Sequence, residues 1–107
     1  MTALSISPEA LLARIEAGNA PVVLDVRSPQ EFAEGHVPGA VNFPFMRARD
    51  RSIPVPASPD DEIVVYCAHG PRAWIAGAAL RRRGFVRVGY LKGHIRGWNQ
   101  RALREER

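Results

Sequence analysis

The sequence predicts an α/β domain: a parallel sheet with helices on both faces. Three observations carry this. Val22 to Val26, interrupted only by Asp25, and Ile63 to Tyr66 are continuous apolar runs, the pattern of strands buried on both faces rather than one. Helix-opening and helix-closing signals stand between such runs, at Ser7-Pro8-Glu9, Gly18, Ser28-Pro29-Gln30-Glu31 and Gly84. Strands and helices therefore alternate along the chain, which is the order of right-handed crossovers in a parallel sheet. A length of 107 residues allows one domain with a real core and excludes two.

Each element has a local reason. Ser7 can cap a helix whose first residue is Pro8; Leu11, Leu12 and Ile15 give it an apolar stripe, and Gly18 stops it. After the Val22 to Val26 strand, Ser28 and Glu31 have the spacing of a capping box for a short helix carrying Phe32 and Ala33 and ending at Gly35. His36 to Pro44 reads as a turn leading to a brief strand centred on Val41. From Phe45 to Pro59, prolines 54, 56 and 59, with Pro44 just before, oppose long helices and central strands, so an irregular surface connection is expected. Ile63 to Tyr66 resumes the sheet. Arg72 to Arg83 then forms a helix with Ala76, Ala79, Leu80 and Ile75 facing inward, and Gly84 follows as its C′ residue. Phe85 to Leu91 reads as a strand, Gly93 to Trp98 as a loop and a terminal helical piece.

Composition narrows the function. Hydrophobic content of 46% and charged content of 24% are those of an ordinary soluble domain. The single cysteine excludes an internal disulfide, and His36, His69 and His94 lack ligand spacing, so no metal is expected. No stretch is long and apolar enough to span a bilayer, and the first residues resemble no export leader; the expectation is a cytoplasmic protein with a reduced thiol and no membrane contact. The net charge is +4, and fourteen of the fifteen basic residues are arginine. They are dispersed, and the only contiguous run, Arg81-Arg82-Arg83, falls where a helix C-terminus welcomes cations. No nucleic-acid partner is expected; the positive balance instead suits the steering of small anions.

The chemistry concentrates where the Ile63 to Tyr66 strand gives way to a loop and a helix. Cys67 stands at the strand's carboxyl end and just ahead of a helix amino end, where unpaired N–H groups and the positive end of the helix dipole favour a thiolate. The N–H groups of Ala68, His69 and Gly70, with those near Arg72 and Ala73, can form a concave seat for an anion. Arg72 adds a permanent charge and a planar donor fork, while Pro71 removes one donor but suits a helix start. The alternative for a lone cysteine is a buried small hydrophobe. In parallel α/β sheets, sites lie at the carboxyl ends of strands, and Cys67 falls there.

Taken together, four ordered motifs match a known family: Val23-Leu24-Asp25-Val26-Arg27 with Glu31-Phe32; Gly35 to Asn42, reading G-H-V-P-G-A-V-N; Val64-Val65-Tyr66-Cys67 with Gly70 and Arg72; and Gly84-Phe85 leading to Leu91-Lys92-Gly93 and Trp98. From Ser5 to Trp98 the chain resembles the single-domain rhodaneses, the thiosulfate sulfurtransferases. The resemblance implies a five-stranded parallel sheet between helices, a single rhodanese-like domain over 5–100 and a charged tail at 101–107. It also implies double displacement: Cys67 takes a sulfane sulfur from a small anionic donor such as thiosulfate, holds it as a persulfide, and yields it to a thiol or to cyanide, without cofactor. In that scheme Ala68, His69, Gly70, Arg72 and Ala73 bind the donor.

Two departures from the family stand out: Ala73 where a serine often follows the loop arginine, and His94 where a second glycine commonly follows Gly93. His94 is expected to be a tolerated loop residue. Asp25 and Arg27 point to one side of their strand and can pair with each other or with His36 and neighbouring turns, or reach the substrate from the site's rim. Trp98 is expected in the core and Trp74 at the pocket mouth or half-buried on its helix. Two rivals are a non-catalytic rhodanese-like binding domain, which usually lacks the cysteine, and a cysteine-dependent phosphatase or arsenate reductase, whose loop resembles this one but has five residues between Cys and Arg where this chain has four.

Overall fold

A computed structural model describes residues 4–107; Met1 to Ala3, the start of the segment read as no export leader, lie outside them. Ten elements follow in order: β1 (Leu4–Ile6), α1 (Pro8–Glu16), β2 (Val22–Asp25), α2 (Pro29–Glu34), β3 (Val41–Asn42), α3 (Phe45–Ala48), β4 (Ile63–Tyr66), α4 (Pro71–Arg82), β5 (Val88–Leu91) and α5 (His94–Gln100). All strand pairs are parallel, in the order β1-β5-β4-β2-β3, so β4 is the centre of a five-stranded sheet.

The continuous apolar strands bury both faces, and the period-two alternation of side chains divides the core. Leu24, Val26, Ile63, Val65 and Cys67 face α3 and α4, packing with Ala73, Ala76, Leu80 and Phe85. Val23, Val64, Tyr66 and Leu91 face the other side, against Leu11, Ile95 and Trp98. The inner surface of α4 is made of small residues, which brings it close to the sheet. A Cβ on Gly77 would collide with the Tyr90 phenol as it stands, so glycine leaves room for that ring over the helix.

Ser7 caps α1 and Ser28 with Glu31 forms the full capping box of α2, as their spacing predicts. Four expectations change. The edge strand β1 was not read from the sequence, because three residues are too few to show a period. Within the irregular connection, Phe45–Ala48 makes one helical turn between Pro44 and the later prolines. The last strand begins at Val88; Phe85 instead belongs to the turn after α4, its N–H donating to Leu80 O at 3.1 Å. Ile75 does not face inward: the buried arc of α4 passes through Ala73, Ala76, Gly77 and Leu80, and Ile75 falls outside it, 43% exposed.

Beyond α5 the segment 101–107, expected as a charged tail, lies back across the domain. Trp98 Nε1 donates to Arg104 O at 3.0 Å, Leu103 packs on the core, and His36 and Glu106 exchange two backbone hydrogen bonds of 2.9 Å. Arg101 adds an ion pair with Glu9 on α1.

At the carboxyl end of β2 sits a fully formed buried ion pair. Arg27 donates from Nε and Nη2 to both Asp25 oxygens, at 2.7 Å for the shortest contact, and from Nη2 to Gly35 O at 2.8 Å. Burial opposes the Arg27 charge, but the hydrogen bonds and charge of Asp25 outweigh it and raise its pKa. Asp25 is inaccessible and Arg27 nearly so, which makes the pair a strut between β2 and the end of α2. Arg27→Met would strand the Asp25 carboxylate in the core; urea unfolding should show a loss of about 3–5 kcal/mol, and a loss below about 1 kcal/mol would mean the pair behaves as a solvated one.

Candidate active site: the loop between β4 and α4

Four residues, Cys67 to Gly70, carry the chain from the central strand into α4. The turn is possible because Gly70 takes φ 139° and ψ −52°, a conformation side chains avoid; a Cβ there would also lie 2.9 Å from the Trp74 ring. Its N–H points back and donates to Cys67 Sγ at 3.0 Å. Helix α4 starts at Pro71 with no side-chain cap, and Trp74 N is the first to find a main-chain acceptor, Gly70 O. The N–H groups of Arg72 and Ala73 in the first turn have no acceptor within the helix and remain available to an anion.

The other wall is the start of α5. Ile95 N donates to Cys67 O and Arg96 N to Ala68 O, at 3.1 and 3.2 Å. His94, at a left-handed φ of 56°, turns its imidazole inward, and Nδ1 accepts the Cys67 N–H at 3.3 Å. Burial first, and nearby His69 second, push His94 below its ordinary pKa of 6.5, so at neutral pH the ring is uncharged and carries its proton on Nε2. The Trp74 ring meets it edge-on with centroids 6.5 Å apart.

The residues expected at the site are placed differently. Cys67 is 1% exposed, at the bottom of the loop. Ala68 is half-buried and His69 exposed at the loop's crest. The Ala73 side chain is in the core, leaving only its N–H for a ligand. Arg72 is turned toward α2, where its two terminal nitrogens grip both oxygens of Glu31 at 2.7 and 3.1 Å. The Arg72 hydrogen bonds hold the Glu31 carboxyl down at about 2, with Ser28 assisting, and Glu31 in turn raises Arg72. Asp25 and Arg27 bond to each other, one of the arrangements expected for them, and Trp98 is buried in the core. Trp74 is 56% exposed beside the loop. Two participants were not visible as such in the sequence: Glu31, whose spacing announced only a cap, and His94, read as a tolerated loop residue.

A sequence profile of the rhodanese-like domain matches residues 7–101. The chain belongs to the rhodanese-like family. Among its relatives is a sulfurtransferase of Allochromatium vinosum, 33% identical over 92% of this chain and 90% of that protein. Another is the thiosulfate sulfurtransferase GlpE of Pseudomonas entomophila, 34% identical over 87% of this chain and 82% of the relative. The human single-domain sulfurtransferase TSTD1 superposes with a TM-score of 0.79 at 26% identity, covering 92% of this chain and 97% of that one. Other relatives are longer: this chain spans 49% of the putative sulfur carrier protein YrkF of Bacillus subtilis. The rhodanese-like fold thus puts the Cys67 loop at the carboxyl edge of the sheet's central strand.

Because the Glu31 pKa is depressed from 4.5 to about 2, its pairing with Arg72 contributes stability that is full above pH 4.5 and is lost as pH falls toward 2. Glu31→Gln keeps a side chain able to complete the capping box but removes the charge. The difference in unfolding free energy between wild type and this variant should be constant at neutral pH and shrink below about pH 4.5; a difference independent of pH would show that the carboxylate charge contributes nothing.

Proposed function

We propose that this chain is a sulfurtransferase that moves a sulfane sulfur from thiosulfate, or a related anionic donor, to a thiol through a persulfide on Cys67. The observation that carries the reading is the Gly70 N–H directed at Cys67 Sγ in a four-residue loop opening onto the N-terminus of α4. As thiolate, Cys67 attacks the outer sulfur of thiosulfate; the sulfur–sulfur bond breaks and sulfite leaves with the bonding pair. An acceptor thiolate then attacks the outer sulfur of the Cys67 persulfide, and the pair returns to Cys67. Each half-reaction breaks one sulfur–sulfur bond and forms another, the second leaving the acceptor as a persulfide, so neither a metal nor a redox cofactor is needed.

The Gly70 N–H, with N–H groups of Ala68, His69, Arg72 and Ala73, supplies fixed positive poles for the persulfide anion. Arg72 and the exposed His69 flank the approach of the donor's sulfonate-like end. Glu31 acts as counter-ion to Arg72 and sets how much of its charge the donor meets. The low exposure of Cys67 suits a single terminal sulfur atom better than a tetrahedral phosphate or arsenate. Retention of the cysteine argues for chemistry over a purely binding role, and a free thiol suits a reducing compartment, the cytoplasm. Among the described residues no helix is long and apolar enough to cross a membrane.

Intact-mass measurement after brief exposure to thiosulfate tests this directly. A gain of about 32 Da at Cys67, removed by cyanide, is expected of a reactive thiol that holds one sulfur; a thiol that alkylates yet never gains sulfur would sink the reading. Cys67→Ser should abolish transfer with the fold intact. Arg72→Ala should raise the KM for thiosulfate about tenfold, the worth of one charge-assisted hydrogen bond, while leaving alkylation of Cys67 nearly unchanged. Equal losses in both would reduce Arg72 to a loop support.

A further inference from the structure

One face of the molecule beside the loop takes no part in this chemistry. Arg47 and Arg49 at the end of α3, Arg51 in the following turn and Arg82 at the end of α4 are all exposed and share one side of the domain. Among the described residues none of these four guanidiniums has a carboxylate within ion-pair distance, whereas Arg14, Arg27, Arg72, Arg101 and Arg104 all do. The one acid among them, Asp50, accepts the N–H and hydroxyl of Ser52 on a single oxygen at 3.0 and 2.6 Å and offsets only part of the arginine charge. The floor between Arg49 and Arg82 is apolar: a groove of about 490 Å³ lined by Trp74, Ile75 and Ala78. Trp74 and Ile75 are 56% and 43% exposed, against the usual burial of such residues. At its other edge Trp74 covers Gly70 and meets His94, so the groove begins at the mouth of the catalytic loop.

We propose that this groove docks the protein that accepts sulfur, through a segment in which the acceptor cysteine is flanked by acidic residues. An exposed tryptophan in a groove with an arginine at each side, Arg49 and Arg82, has the make-up of an interface anchor with a charged rim. Unpaired guanidiniums fit carboxylates in bidentate geometry and attract an acidic partner from a distance. A single aromatic flanked by aliphatic Ile75 and Ala78 offers a side-chain pocket rather than the successive stacking platform of a single-stranded nucleic-acid binder. A second copy of this chain would bring the same positive face and a net charge of +4. Docked there, the acceptor's thiolate attacks the outer sulfur of the Cys67 persulfide, the sulfur–sulfur bond breaks, and Cys67 departs as thiolate. The occupant's role as sulfur acceptor rests on the sulfurtransferase reading; the docking of an acidic cysteine segment in the groove does not.

The test therefore has two arms. In the first, Cys67→Ser protein is titrated into a fluorescein-labelled peptide with one cysteine among glutamates, its lysine counterpart, and an oligouridylate, and anisotropy is followed. The acidic peptide should bind at least about tenfold tighter than the lysine peptide at low salt. The preference should vanish in both Arg49→Glu/Arg82→Glu and the milder Arg49→Gln/Arg82→Gln. Equal binding of the two peptides, a preference that survives the double substitutions, or tighter binding of the oligouridylate would overturn the proposal. In the second arm, persulfide-loaded wild type and the double variants transfer sulfur to the same peptides and to dithiothreitol, read by mass. Transfer to the acidic peptide should fall about tenfold in the variants while transfer to dithiothreitol stays unchanged; a parallel fall in both would also overturn it. Failure of wild type to load sulfur would strike the persulfide reading alone, since the anisotropy arm still decides the docking.

Discussion

The structure depends on the shortness of one connection. Only Cys67 to Gly70 separate the sheet's central strand from its longest helix, and both ends are immobile, β4 because it pairs on both sides and α4 because its small-residue face is pressed onto the sheet. In a chain turned so tightly the Gly70 N–H turns back onto Cys67 Sγ, and the first-turn N–H groups of α4 follow directly after it. Positive potential around Cys67 is thus a product of backbone geometry, held by Gly70 and by the α5 amides that bind the loop's first two carbonyls.

Side-chain charge plays a different part. Two arginines on the α2 side of the site are committed, Arg27 to Asp25 in the interior and Arg72 to Glu31 near the surface. The first pair is inaccessible and braces β2 against the end of α2; the second is about one-third exposed and joins α2 to α4 across the mouth of the loop. Shared position on α2 and its flanks makes these pairs a continuous tie between three elements. It also sets a carboxylate against the Arg72 guanidinium beside the Cys67 loop, where backbone amides are the directional donors.

Much of this was legible in the sequence because it is local. Apolar runs report double-sided burial, Ser7 and Ser28 announce helix starts, and Cys67 to Arg72 lies in one continuous stretch, so spacing alone brings its members together. What escaped is either too short to have a period, as in Leu4–Ile6 and Phe45–Ala48, or joined only by the fold. Glu31 and Arg72 are forty-one positions apart and Cys67 and His94 twenty-seven, and no local pattern records those meetings. His94 reads as a tolerated loop residue because it stands where the family commonly has a glycine; here its left-handed φ of 56° goes with a hydrogen bond from the Cys67 amide. Ile75 misled because apolar character was taken for burial on a helix whose inward arc is filled by alanine and glycine.

The return of residues 101–107 has a consequence for how the chain comes to be folded. During synthesis the sheet and the Cys67 loop can assemble once α5 has emerged, but Trp98 Nε1 then lacks the Arg104 carbonyl and the edge around His36 lacks Glu106. Its contacts reach back some seventy positions, the slowest kind to close. A nascent domain paused near residue 100 would hold a complete site on an unfinished floor, its largest buried ring short of a hydrogen bond, and would be a better substrate for chaperones and proteases than the chain a few residues longer.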